Sequence, residues 1–276
     1  MPSSMSLRFT TLLLAPLGAL FILFFAYPLA LIAWQSVYDR GFTLNGYTTL
    51  ASSRLFSLVL WNTFEIAISA TLVSLVLGYA IAIHLARQPP RRRMLYMILV
   101  MLPFWTSILV KSYAFTVTLG EKGLVNELLR ALSAGAVSFE MMFNRVGVVI
   151  GMINYLLPFM VLPILANLLA QDPSLRRVAE LMGAGPLRIF FRITLPLSVP
   201  GVLAGVLMNL ALAVGMYITP ALLGGRRDMM MANLVDFYTR QTLDWTAASA
   251  ISIVLLVISG VLAALLMRVR GAGQFA

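Results

Sequence analysis

The chain has 276 residues, 61% of them apolar and 11% charged, with a mean hydropathy of +0.93. A soluble domain carries about 25% charged residues, so this composition is that of an integral membrane protein. The absence of cysteine and the single histidine, His84, exclude disulfides, thiolate metal sites and His-pair metal motifs, and the net charge of +10 on so apolar a chain reflects topology rather than nucleic-acid binding.

Six stretches reach roughly the 20 apolar residues that span a bilayer. The first, about 11–34, contains Pro16 and Pro28, which bend membrane helices without ending them, and is read as an uncleaved helix. A polar segment follows to about residue 60. The second span, about 61–85, carries Glu65 near its start, and Pro89-Pro90-Arg91-Arg92-Arg93 lies just beyond its end. The third, about 94–119, holds Pro103, Trp105 and Lys111. A loop with a short helix near 124–132 leads to the fourth, about 146–169, with Asn154, Pro158 and Pro163. The fifth, about 193–219, includes Asn209. A loop over 220–244 leads to the sixth, about 245–267. The expected fold is all-α: six transmembrane helices forming a single membrane domain over 1–276. Gly147-x-x-x-Gly151 and Gly201-x-x-x-Gly205 are read as helix-packing positions.

Between the fourth and fifth spans lies a polar interruption, Asp172–Gly201. Asp172 can cap a helix opened by Pro173, in which Leu175, Val178, Ala179 and Met182 form one apolar face. Gly183 and Gly185 end it, and Pro186 is suited to open a second helix bearing Arg188 and Arg192. The pattern predicts two short helices at about 173–192, lying at a membrane surface. With the N-terminus placed in the cytoplasm, the cytoplasmic segments hold 11 bases (Arg8, Arg87, Arg91, Arg92, Arg93, Arg176, Arg177, Arg188, Arg192, Arg268, Arg270) against two acids, Asp172 and Glu180. The positive-inside rule selects this orientation and puts the interruption on the cytoplasmic side.

Ala179, three residues, Gly183, nine residues, then Ile193-x-Leu195-Pro196 resembles the EAA loop of ABC-importer permeases. In that family the loop forms coupling helices that dock into a groove on a separate ATPase subunit. The motif's Glu falls on Arg177 and its first Ala on Val178, so the acidic contact is missing; Glu180 lies at a different angle of the helix. Pro103-Phe104-Trp105-Thr106-Ser107, Lys111-Ser112-Tyr113-Ala114 and Gly123-Leu124-Val125-Asn126 are similar to the third span and following loop of spermidine/putrescine-type permeases. So are Leu157-Pro158-Phe159-Met160-Val161-Leu162-Pro163 and Ile218-Thr219-Pro220-Ala221-Leu222-Leu223-Gly224-Gly225.

The resemblance implies a type I, MetI-like permease subunit of a bacterial inner membrane, with both termini cytoplasmic. It implies as partners two ATPase subunits, a second permease chain, identical or homologous, and an extracytoplasmic solute-binding protein. It also implies that no cofactor sits on this chain, since ATP and Mg would be held by the ATPase. No G-x-x-x-x-G-K-[ST] phosphate loop occurs here, and the only lysines are Lys111 and Lys122. The coupling residues are then Arg177, Val178, Ala179, Glu180, Gly183, Ile193, Leu195 and Pro196. The solute is expected to be a polyamine, with opines, phosphonates or another small organic solute as alternatives. Pathway candidates are Glu65, Lys111, Asn154, Tyr217 and Asp236, with an ion pair between Lys111 and Glu65 as the functional reading of the lysine and snorkelling as the bland one. An ion-coupled carrier would need a relay of intramembrane acids, for which Glu65 alone is thin, and a membrane enzyme would need a catalytic cluster.

Overall fold

The computed structural model describes residues 15–38, 41–132 and 141–272. Residues 11–14 of the expected first span, and the loop charges Asp39, Arg40 and Glu140, lie outside them. The helices are α1 (Ala15–Val37), α2 (Asn45–Ser52), α3 (Arg54–Ala86), α4 (Pro90–Trp105), α5 (Ile108–Leu119) and α6 (Leu124–Leu132). Then come α7 (Arg145–Ala170), α8 (Pro173–Leu181), α9 (Pro186–Val214), α10 (Ile218–Leu223), α11 (Met231–Arg240) and α12 (Trp245–Ala272). Among the described residues the only extended pairing is an isolated bridge between Tyr38 and Phe42. Among the described residues five helices are long and apolar enough to cross a membrane, and six spans result if α4 and the segment after it count as one bent span.

Proline sets several boundaries. Pro90, Pro173 and Pro186 open α4, α8 and α9, where a missing N–H costs nothing. Inside α1 and α9 a π-turn (Ile22–Ala26 and Phe190–Thr194) immediately precedes Tyr27-Pro28 and Leu195-Pro196. Widening the helix there relieves the clash between the proline ring and the carbonyl one turn back.

Two expectations are corrected. The span expected at 94–119 is broken, and the axis turns by 92° between Pro90–Trp105 and Ile108–Leu132. Thr106 and Ser107 take extended backbone angles (ψ 136° and 132°), which stops the helical ladder. The Thr106 hydroxyl donates to the Leu102 carbonyl (3.1 Å) and so adds a bond at the helix end. The second of the two short helices expected over 173–192 is not separate: it is the start of α9, which runs on from Pro186 to Val214 because the π-turn absorbs Pro196. The span expected at 193–219 therefore starts earlier and stops at Gly215, after which α10 begins.

The chain forms two compact units, Met1–Phe56 with Leu234–Val254, and Ser57–Asn233 with Leu255–Ala276. In the first, the Tyr47 hydroxyl donates to Ser36 Oγ (2.8 Å), and Gly46 lets Thr246 pack close to its backbone. In the second, α3, α7 and α9 build the core. Met160 of α7 lies against Gly78 of α3 and Gly205 of α9: a Cβ at either glycine would come within 2.8 or 2.9 Å of its side chain. At Gly201 an added Cβ would stand 2.9 Å from the Pro163 carbonyl oxygen, and at Gly151 it would stand 2.6 Å from Leu223. Both glycine pairs thus serve close packing, as the sequence suggests.

Gly201→Leu is expected to destabilise the bundle by about 1–3 kcal/mol, because the obstacles, Asn167 Cβ at 2.6 Å and the Pro163 carbonyl oxygen at 2.9 Å, cannot swing away. Gly260→Ala should not, since an added Cβ there meets nothing within 4 Å. Thermal unfolding in detergent compares the two.

Candidate functional site

The segment after α7 is built as a projecting turn. Asp172 caps α8, its Oδ1 accepting the Ser174 N–H at 2.8 Å, and this bond holds its carboxyl below the usual carboxylate range. The cap thus supports α8 fully above that range and is lost as pH falls below it, through the depressed pKa. Arg176 pairs with Glu180 one turn on (2.9 Å), so the acid nearest the missing motif Glu is engaged within its own helix. Arg177 and Val178 are exposed and Ala179 is half-buried. Gly183 adopts φ +78°, a left-handed conformation that suits glycine, with nothing within 4 Å of an added Cβ. Leu181 and Met182 beside it are 87% and 82% exposed, and Leu187 also stands out. Sequence periodicity put Met182 on the apolar face of this helix; the structure leaves it exposed as an apolar knob. Ile193 and Leu195 are half-buried and Pro196 is exposed where the π-turn meets the rest of α9.

A second cluster forms where α7 begins. Asn144 caps α7 by accepting the Gly147 N–H (3.1 Å), and Arg145 reaches across to α3. Its guanidinium forms an ion pair with Glu65, donates to Asn62 Oδ1 (3.0 Å) and pairs with Asp228 Oδ1 (3.3 Å). Asp228 Oδ2 in turn accepts the Gly225 N–H (3.1 Å), and Asn62 Nδ2 donates to the Arg227 carbonyl (2.7 Å). Next along α3, Thr63 Oγ1 accepts the Met231 N–H (2.9 Å). One arginine therefore ties α3, α7 and the loop after α10 together. The pairing of Glu65 with Lys111 is corrected: the partner of Glu65 is Arg145. The two lie 80 positions apart, which left no local signal to join them.

Lys111 lies instead over the break between α4 and α5. Its Nζ donates to the Pro103 carbonyl (2.6 Å) and stands 5.8 Å from the centre of the Tyr155 ring. Pro103 is in the last turn of α4, where carbonyls have no amide partner within the helix, and the negative end of the helix dipole favours a cation. Tyr155, Phe104 and Phe159 pack as a trio, with ring centres 5.4–6.4 Å apart. Asn154 has a buried Oδ1 without a hydrogen-bond partner, as do the side chains of Thr71, Ser74 and Asn209. The Tyr217 carbonyl accepts from Asn233 Nδ2 (3.0 Å). Asp236 belongs to the first compact unit and pairs with Arg240 in its own helix (2.7 Å).

Long apolar helices, interrupted by one sharp break and one projecting charged turn, define a multi-span membrane protein. The family model described as "Binding-protein-dependent transport system inner membrane component" matches residues 74–271, and the chain belongs to that family. It is 36% identical over 221 residues to the spermidine/putrescine transport system permease protein PotB of Escherichia coli (strain K12), covering 80% of each chain. It is 34% identical to the PotB of Haemophilus influenzae, covering 83% of this chain and 79% of that one. The crystal structure of a bacterial alginate ABC transporter, in complex with a periplasmic protein bound to an alginate pentasaccharide, contains a chain that superposes with a TM-score of 0.80. That match covers 94% of this chain and 92% of the other at 19% identity, a likeness of fold.

Proposed function

We propose that this chain is one of two permease subunits in an ATP-driven importer of polyamines such as spermidine and putrescine. The observation that carries the reading is the 36% identity to PotB over four-fifths of both chains. ATP and Mg belong to separate ATPase subunits, for which the turn around Leu181, Met182 and Gly183 is the docking surface. The excess of arginine in the segments on this side of the spans supports a cytoplasmic location for this turn and both termini. An extracytoplasmic binding protein delivers the solute at the Arg145 end of the bundle, and rocking of packed helices then alternates access to the pathway. Broken helices suit such a pathway, because backbone groups freed at a break can face a polar solute.

The test is ATPase stimulation in the reconstituted complex. Binding protein loaded with spermidine or putrescine should raise hydrolysis well above the rate with unloaded protein. Stimulation by a phosphonate-loaded or opine-loaded protein, with polyamines inert, would remove the polyamine assignment and keep the transporter class.

A further inference from the structure

We propose that the break between α4 and α5 is a binding site for a primary ammonium group, filled in this structure by the chain's own Lys111. The inference rests on the polyamine reading only for what exchanges with that lysine during transport. The ammonium geometry itself is on the page: Nζ donates to the Pro103 carbonyl at 2.6 Å and faces the Tyr155 ring at 5.8 Å.

Three features make this a recognition site. The Pro103 carbonyl is available because Thr106 and Ser107 leave the helical conformation, so no amide one turn on can claim it. The neighbouring Leu102 carbonyl is already taken by the Thr106 hydroxyl, which leaves Pro103 as the acceptor pointed at a cation. The ring that completes the site is held on α7 by Phe104 and Phe159, so the π face is positioned before any ligand arrives. The acid expected to partner Lys111 is occupied elsewhere, since Glu65 pairs with Arg145. Recognition thus uses a carbonyl, a helix C-terminus and an aromatic face, with no carboxylate contributing.

Such a site holds an ammonium reversibly, which transport requires; a buried carboxylate would retain a polycation. A tethered lysine occupies it at an effective concentration in the millimolar range. A solute with one ammonium group displaces that tether only at concentrations above this range. A polyamine, held elsewhere by its other ammonium groups, competes on equal terms. Lys111 then acts as a plug for the ammonium site when no solute is present.

Two lysines in the chain make the exchange directly readable. The wild-type complex is treated briefly with acetic anhydride in the presence of propylammonium chloride, with sodium chloride at equal ionic strength as control. Acetylation of Lys111 is then compared with that of Lys122 by mass spectrometry. Displacement should raise the Lys111-to-Lys122 labelling ratio saturably, by about threefold or more, as binding of a competitor to a single site demands. An unchanged ratio up to the highest soluble amine concentration would overturn the proposal. In Lys111→Ala the vacated site should bind propylammonium about tenfold more tightly than in wild type, read as stabilisation of the complex against heat, because the tethered competitor is gone. Adding Tyr155→Leu should abolish that gain. Equal responses of wild type and Lys111→Ala, or a gain that survives Tyr155→Leu, would also overturn it. Neither readout involves transport, so exchange at Lys111 together with failure to move polyamines would sink the substrate reading and leave the ammonium site standing.

Discussion

Met182→Asp should strip the ATPase subunits from the complex while leaving the membrane fold intact. The side chain is 82% exposed at the tip of the turn, so the folding cost is that of a surface substitution, within about 0.5 kcal/mol. At the centre of a docking surface the same change places a charge among apolar contacts, where an anchor residue is worth about 2 kcal/mol or more, roughly a 30-fold loss of affinity. Leu181→Asp should behave alike. Gly183→Arg is a poorer probe, because φ +78° makes any side chain there cost about 1–2 kcal/mol before docking is considered. Affinity purification through a tag on this chain reads the outcome. ATPase recovered at normal stoichiometry with Met182→Asp would refute the docking assignment.

Arg145→Met should be the most damaging single change among the charged residues. It leaves Asp228, whose side chain is 9% exposed, without its cation; breaking a fully buried pair costs about 3–5 kcal/mol, and the 35% exposure of Arg145 puts this loss at or below the lower end of that range. The share owed to Glu65 is smaller, since that carboxylate is 42% exposed and water screens it. Thermal unfolding of the purified complex should therefore shift strongly for Arg145→Met and only slightly for Glu65→Gln. Combining Arg145→Met with Asp228→Asn should recover much of the loss, because the orphaned charge is removed. Equal damage from the single and double variants would show that the guanidinium acts by packing alone. Charge exchange between Glu65 and Lys111 should rescue nothing.

The spans were legible because hydropathy and length suffice to find them, and the projecting turn was legible from Asp172-Pro173, Gly183 and Pro186. What was missed has physical causes. The turn at Thr106-Ser107 has no strong local signature, since Thr, Ser and the nearby Pro103 are all tolerated inside membrane helices. The partner of Lys111 is a backbone carbonyl, and the sequence carries no sign of which carbonyls a break sets free. Arg145 sits at the very start of its helix and reads as an interfacial charge until the fold brings Glu65, Asn62 and Asp228 to it. Periodicity grouped Met182 with Leu175 and Val178 on one face of α8, yet it cannot say whether that face meets lipid, the bundle or another protein.

The most direct measurement is uptake of radiolabelled spermidine into proteoliposomes containing this chain, its partner permease, the ATPase and the binding protein. Uptake should require enclosed or added ATP on the ATPase side, depend on the binding protein, and vanish with Met182→Asp. Accumulation driven by an ion gradient without ATPase, or ATP-dependent uptake that ignores spermidine and putrescine, would contradict it.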